Sequence, residues 1–141
     1  MAIDMEISDI KQKVHSILEP RSEILFAYLH GSVFSSQKPN DIDVAVFLVP
    51  EAYERLQASG TVNLEYAIPL EMELETSIGM PVDLQVLNNA PLRFQYSAGS
   101  KGEVIVDRDS GIRADFEGLT RVQYFDFRPK REAYLKEAFS L

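Results

Sequence analysis

Apolar residues recur along this chain in two rhythms, one near 3.6 residues and one of two, which mark helices and strands. Ile7, Ile10, Val14 and Ile17 share one helical face, and Pro20 closes that segment. EILFAYLH (23–30) is short and rich in β-formers, so it predicts a strand. Residues 31–40 are polar and turn-forming. IDVAVFL (42–48) is nearly continuous in its apolar half, which predicts a strand central in its sheet. Pro50 suits the first turn of a short helix through Ala58. Ala67, Leu70, Leu74 and Ile78 form a second helical stripe, with Pro69 near its start and Gly79 at its end. PVDLQVL (81–87) alternates, with Val82, Leu84 and Val86 on one face and Asp83, Gln85 and Leu87 on the other. A short helix over 91–98 and a small edge strand EVIVD (103–107) follow. The chain from Ser110 to Phe139 reads as helical, with a break or kink around Pro129.

Strands interleaved with helices, without repeats, linkers or low-complexity tracts, predict one α/β (α+β) domain with a small mixed sheet flanked by helices. The domain spans 1–141, divided into a core (1–107) and a C-terminal helical region (108–141). A chain of 141 residues, 45% apolar and 26% charged, buries a core without staples and is not disordered. The absence of cysteine excludes disulfides, thiolate zinc sites and cysteine nucleophiles. With only His15 and His30, far apart in the chain, a histidine-based zinc site is not expected. The start, MAIDMEISDI, has no signal-peptide pattern, and no run approaches ~20 apolar residues, so a soluble cytoplasmic protein is expected. Net charge is −8. Residues 51–75 carry six acids against Arg55 alone. Both facts argue against binding to nucleic acid or to an anionic membrane.

Two acids break the start of the strand over 42–48. Asp41 and Asp43 are two apart, so on a strand both point to one face. Asp83 interrupts a second strand in the same manner. If those strands are neighbours, three carboxylates converge at one end of a sheet. Like charges that close repel, and Mg²⁺ relieves the repulsion by taking a few carboxylates together with substrate phosphates. Gly31 lets backbone approach a bulky anion, and Ser32 adds a hydroxyl beside its own N–H. Singly, a Gly-Ser pair is most often a turn and an Asp-x-Asp a strand cap. It is their order (strand, Gly-Ser, short loop, Asp-x-Asp strand, helix, Asp strand) that points to nucleotide and metal. His30 directly precedes Gly31, where it either touches a phosphate or base or serves the strand end structurally. His15 is expected to face solvent.

The order G31-S32-x8-D41-I42-D43 followed by V82-D83-L84 resembles the minimal nucleotidyltransferases of the DNA polymerase beta superfamily, small proteins encoded beside HEPN-domain partners. The resemblance covers nearly the whole chain, including LNNAP, VIVDRD and the C-terminal helical region. It implies a polymerase-beta-type fold, with Gly31 and Ser32 on nucleotide phosphates. It implies that Asp41 and Asp43 bind Mg²⁺ (Mn²⁺ as a substitute) and that Asp83 completes the metal site and helps activate the attacking group. ATP would be the substrate. The implied role is that of an antitoxin that transfers AMP to a tyrosine of a HEPN ribonuclease toxin. Two departures stand out. Phe34, Ser35 and Ser36 replace the small residue, Arg and Gly common after the Gly-Ser pair, and Asn40 replaces a Ser. A cation expected near the phosphates is thereby lost, while the three acids are intact.

About 34 residues follow VIVD, too few for a domain that holds a small-molecule acceptor. The acceptor is therefore expected on another chain. Tyr124, Phe125, Phe127, Tyr134 and Phe139, with Arg128 and Arg131 nearby, exceed what one buried helix face needs and suit a protein interface. Two other function classes fit this length. One is a non-catalytic antitoxin or adaptor, and the other a small-molecule nucleotidyltransferase working as a homodimer.

Overall fold

Alternation within each strand sends every second side chain to opposite faces of one four-stranded sheet, and each face is covered by different helices. A computed structural model of the protein describes residues 6–30 and 42–139. In chain order these form α1 (Ile7–Leu18), β1 (Ile24–His30), β2 (Ile42–Leu48), α2 (Pro50–Ala58), α3 (Ile68–Ile78), β3 (Val82–Val86), α4 (Leu92–Lys101), β4 (Glu103–Asp107) and α5 (Ser110–Phe139). The sheet order is β3-β2-β1-β4. β1 runs antiparallel to β2 and β4, whereas β2 and β3 are parallel, joined by the crossover through α2 and α3. The nearly continuous apolar run 42–48 is indeed interior, and EVIVD lies at an edge.

On one face, Ala27, Leu29, Val44, Val46, Val82 and Leu84 pack with Ile10, Val14 and Leu18 of α1 and Leu70, Leu74 and Ile78 of α3. On the other, Phe26, Tyr28, Ala45 and Leu87 pack beneath Phe94 and Ala98 of α4 and Phe116 of α5. Phe26 stacks on Phe47 at 4.7 Å, and Phe116 closes on both at 5.3 Å. The second face leads to the site.

Local details depart from the periodic reading in three places. A π-helical turn over Val62–Ala67 precedes α3, and this wider turn leads into Pro69, which has no N–H to give to the ladder. The third strand ends at Val86, and residues 87–89 form a 3₁₀ turn that turns Leu87 into the core. α5 continues across Pro129, so of the expected break or kink the break does not occur. One missing N–H does not end a helix whose flanking residues, among them Glu132, Ala133, Leu135 and Lys136, are strong helix formers.

Candidate active site

The site is assembled by register. His30, the last residue of β1, lies opposite Asp43 on β2, and Asp43 lies beside Asp83 on β3. Register partners share a face, so the three side chains form one row across three strands, on the α4 and α5 side. Such neighbours have Cβ atoms about 5 Å apart. Asp43 is half-buried and Asp83 exposed, so the row opens to solvent at the β3 edge.

His30 is buried, with 7% of its surface accessible. Its ring meets Phe94 of α4 edge-on, with centroids 5.2 Å apart. Burial lowers its pKa below the ordinary 6.5, opposed in part by the negative charge of Asp83. Its Nε2 is buried and, among the described side chains, is the polar atom left without a hydrogen-bond partner.

Gly31, Ser32 and Asp41 lie outside the described residues. The structure thus brings together two of the three predicted acids. Among the described residues no group of three His, Cys, Asp or Glu side chains is arranged to hold a metal ion, so a metal here would need a further ligand. The donor set nevertheless suits a hard divalent cation, since Mg²⁺ takes one or two carboxylates and completes its shell with phosphates and water. An unmatched buried nitrogen in the same row is a further sign that a polar group belongs there. A cavity of about 590 Å³, lined by Tyr53, Asn63, Gln85, Val86 and Asn89 among others, opens beside the far end of β3. It does not include the acids.

Several residues that brace the end of the sheet opposite the acids escaped the sequence reading. Leu48 N–H donates to Asn88 Oδ1 at 2.8 Å, and Asn88 Nδ2 donates to the Leu48 carbonyl at 2.9 Å, so one amide side chain continues the ladder past the end of β2. Arg108 donates to the Ile24 carbonyl at 2.7 Å and the Arg21 carbonyl at 3.0 Å, and also to that of Glu19, fastening the start of β1. LNNAP and VIVDRD contain both residues, but nothing local shows which carbonyls they meet. His15 is exposed as expected and pairs with Glu19 at 3.6 Å. Tyr124 stacks on Tyr96 of α4 at 4.2 Å, and Phe125 is 49% exposed. The side chains of Phe127, Arg128, Arg131, Tyr134 and Phe139 lie outside those described.

A small mixed sheet with carboxylates paired across two parallel strand ends, helices on both faces and a long closing helix defines a polymerase-beta-like nucleotidyltransferase fold. The chain belongs to the family described as Polymerase beta, Nucleotidyltransferase, which matches residues 12–111 and so takes in all four strands. No curated protein matches the chain. Solved structures do. A chain of the toxin–antitoxin MntA-HepT crystal structure is 18% identical, with a TM-score of 0.68 over 92% of this chain and 97% of that one. A toxin–antitoxin structure with AMP-PNP gives 20% identity and a TM-score of 0.72, over 92% and 98%. The structure of a tri-AMPylated Shewanella oneidensis HEPN toxin in complex with MNT antitoxin gives 19% identity and a TM-score of 0.71, over 96% and 99%. At such identities the likeness is one of fold. No helix among the described residues is long and apolar enough to cross a membrane.

Proposed function

We propose that this protein is a Mg²⁺-dependent nucleotidyltransferase that moves AMP from ATP to a tyrosine of a HEPN ribonuclease toxin, acting as its antitoxin in the cytoplasm. Mn²⁺ would substitute for Mg²⁺. The observation that carries this reading is the register of Asp43 beside Asp83 at adjacent parallel strand ends, in a chain of the nucleotidyltransferase family. Structural relatives come from complexes of such toxins and antitoxins, one with AMP-PNP and one with an AMPylated toxin. Residues 1–141 would act as one domain, 1–107 as the catalytic core and 108–141 as a helical region toward the partner.

Asp43 and Asp83, with Asp41, would hold the metal, and Gly31 and Ser32 the phosphates. A bound Mg²⁺ would neutralise the phosphates and keep the attacking and leaving oxygens in line. The partner's tyrosine oxygen attacks the α-phosphorus of ATP. An O–P bond forms, the bond from that phosphorus to the bridging oxygen breaks, pyrophosphate leaves, and the tyrosine proton passes to solvent. Asp83, at the solvent-open end of the row, would favour the deprotonated hydroxyl through the metal it helps to hold.

The test is intact-mass spectrometry of the co-purified partner after incubation with ATP and Mg²⁺. Addition of one or more AMP units is expected. Asp83→Asn, or Asp41→Asn with Asp43→Asn, should lower the transfer rate about 100-fold or more while the two chains still associate. Tight association without a mass shift under any divalent metal would leave the adaptor reading in its place.

A further inference from the structure

Among the described residues, the Nε2 of His30 is a buried polar atom without a partner. Native chains rarely keep such an atom, because leaving a buried donor or acceptor unmatched is costly. The surrounding fold does not require it. His30 meets the edge of Phe94, and a Cβ added to Gly102 would lie 3.3 Å from the His30 Cβ and 3.1 Å from that of Tyr28. Phenylalanine or leucine would fill this space without an unmatched nitrogen. What sets the position apart is its row, since Asp43 lies opposite and Asp83 one strand further. His30 is the last residue of its strand, at the sheet end that carries the acids, and 7% of its surface is accessible.

We propose that His30 is a nucleotide-binding residue, its Nε2–H donating a hydrogen bond to an anionic phosphate oxygen of a nucleoside triphosphate held against Asp43 and Asp83. The inference rests on the nucleotidyltransferase reading above. Phosphate oxygens only accept hydrogen bonds, so the imidazole must present its N–H at Nε2 and keep its lone pair at Nδ1.

Three variants test this: His30→Phe, His30→Leu and His30→Gln, the last keeping an amide donor near the same point. Three quantities are measured for each. They are the melting temperature without ligand, the calorimetric affinity for AMP-PNP with Mg²⁺, and the affinity for Mn²⁺ alone by electron paramagnetic resonance. His30→Phe and His30→Leu should melt at or above the parent temperature, because the unmatched atom is gone. Both should bind AMP-PNP about ten- to a hundredfold more weakly, with Mn²⁺ affinity unchanged, and His30→Gln should recover most of that loss. Unchanged AMP-PNP affinity in both apolar variants overturns the proposal. So does a parallel loss of Mn²⁺ affinity, which would make His30 a positioning residue for the acids. A lower melting temperature in both apolar variants would show that Nε2 serves the fold, and likewise overturns it. Failure of the parent protein to bind AMP-PNP would instead remove the nucleotidyltransferase reading on which the inference stands.

Discussion

A buried tyrosine and a half-buried one illustrate how single side chains link this fold to pH. Tyr66 donates its hydroxyl to Glu23 at 2.8 Å, and Tyr28 donates to Glu117 at 2.9 Å. Arg113 holds that glutamate at 2.6 Å and Asp107 at 3.0 Å, tying β4 to α5. Burial first, and then the acceptor carboxylate, pushes both hydroxyls above their ordinary pKa of 10.0. The unfolded chain therefore releases these protons near pH 10 while the folded chain keeps them. Their contribution to stability is complete below that pH and is lost as the pH rises through the raised folded values. Urea midpoints should fall as the pH rises above about 10, and Tyr66→Phe should flatten that fall. At neutral pH the same variant should lose only about 1 kcal/mol, the net worth of one hydrogen bond.

Among the elements, the instructive pair is α3 and β3. β3 is an edge strand, and its outward N–H groups would invite pairing with another chain. Instead Val82 N–H donates to Glu75 at 3.0 Å and Leu84 N–H to Glu71 at 2.9 Å, two acids one helical turn apart on α3. Part of the acidity of residues 51–75 thus seals a sheet edge. Gly79 makes the turn between the two elements possible, since its φ of 79° is left-handed. Replacing Glu71 and Glu75 together by Ala should cost about 1–3 kcal/mol in urea unfolding, through two backbone donors left unmatched. It should also produce concentration-dependent association in sedimentation. The corresponding Gln pair, which keeps an acceptor on each side chain, should remain monomeric and lose less.

For the whole molecule, the decisive proportion is the length of α5. Thirty residues of helix extend about 45 Å, against about 17–23 Å for strands of five to seven residues. Phe116 packs over Phe26 and Phe47, Glu117 reaches Tyr28, and Tyr124 stacks on Tyr96, so α5 lies over this face of the sheet alongside α4. It presents Val122, 57% exposed, and Phe125, braced against Tyr96 and Tyr124. On the nucleotidyltransferase reading, this surface is the proposed docking face for the partner. Val122→Ala with Phe125→Ala should weaken association with the partner about tenfold or more, measured by calorimetry, and leave AMP-PNP affinity unchanged.

The sequence by itself determined which segments are strands and helices, because side-chain periodicity is set by the local backbone. It also placed Asp83 on the face opposite Val82 and Leu84, and β2 in the interior of the sheet. Where its signals were local but opposed, as at Pro129, the neighbouring helix formers prevailed. Only the tertiary structure decided that Asp43 and Asp83 are in register, since a slip by one residue would send either acid to the opposite face. It also set Asn88 on Leu48 and Arg108 on Ile24, pairs 40 and 84 residues apart. His30 follows the same rule. Its residue type and its place before Gly31 were plain in the chain, but its burial depends on Phe94 of α4 and its row on two other strands. Periodicity describes what one segment does with its own side chains. Register, burial and an unmatched nitrogen depend on which segments meet.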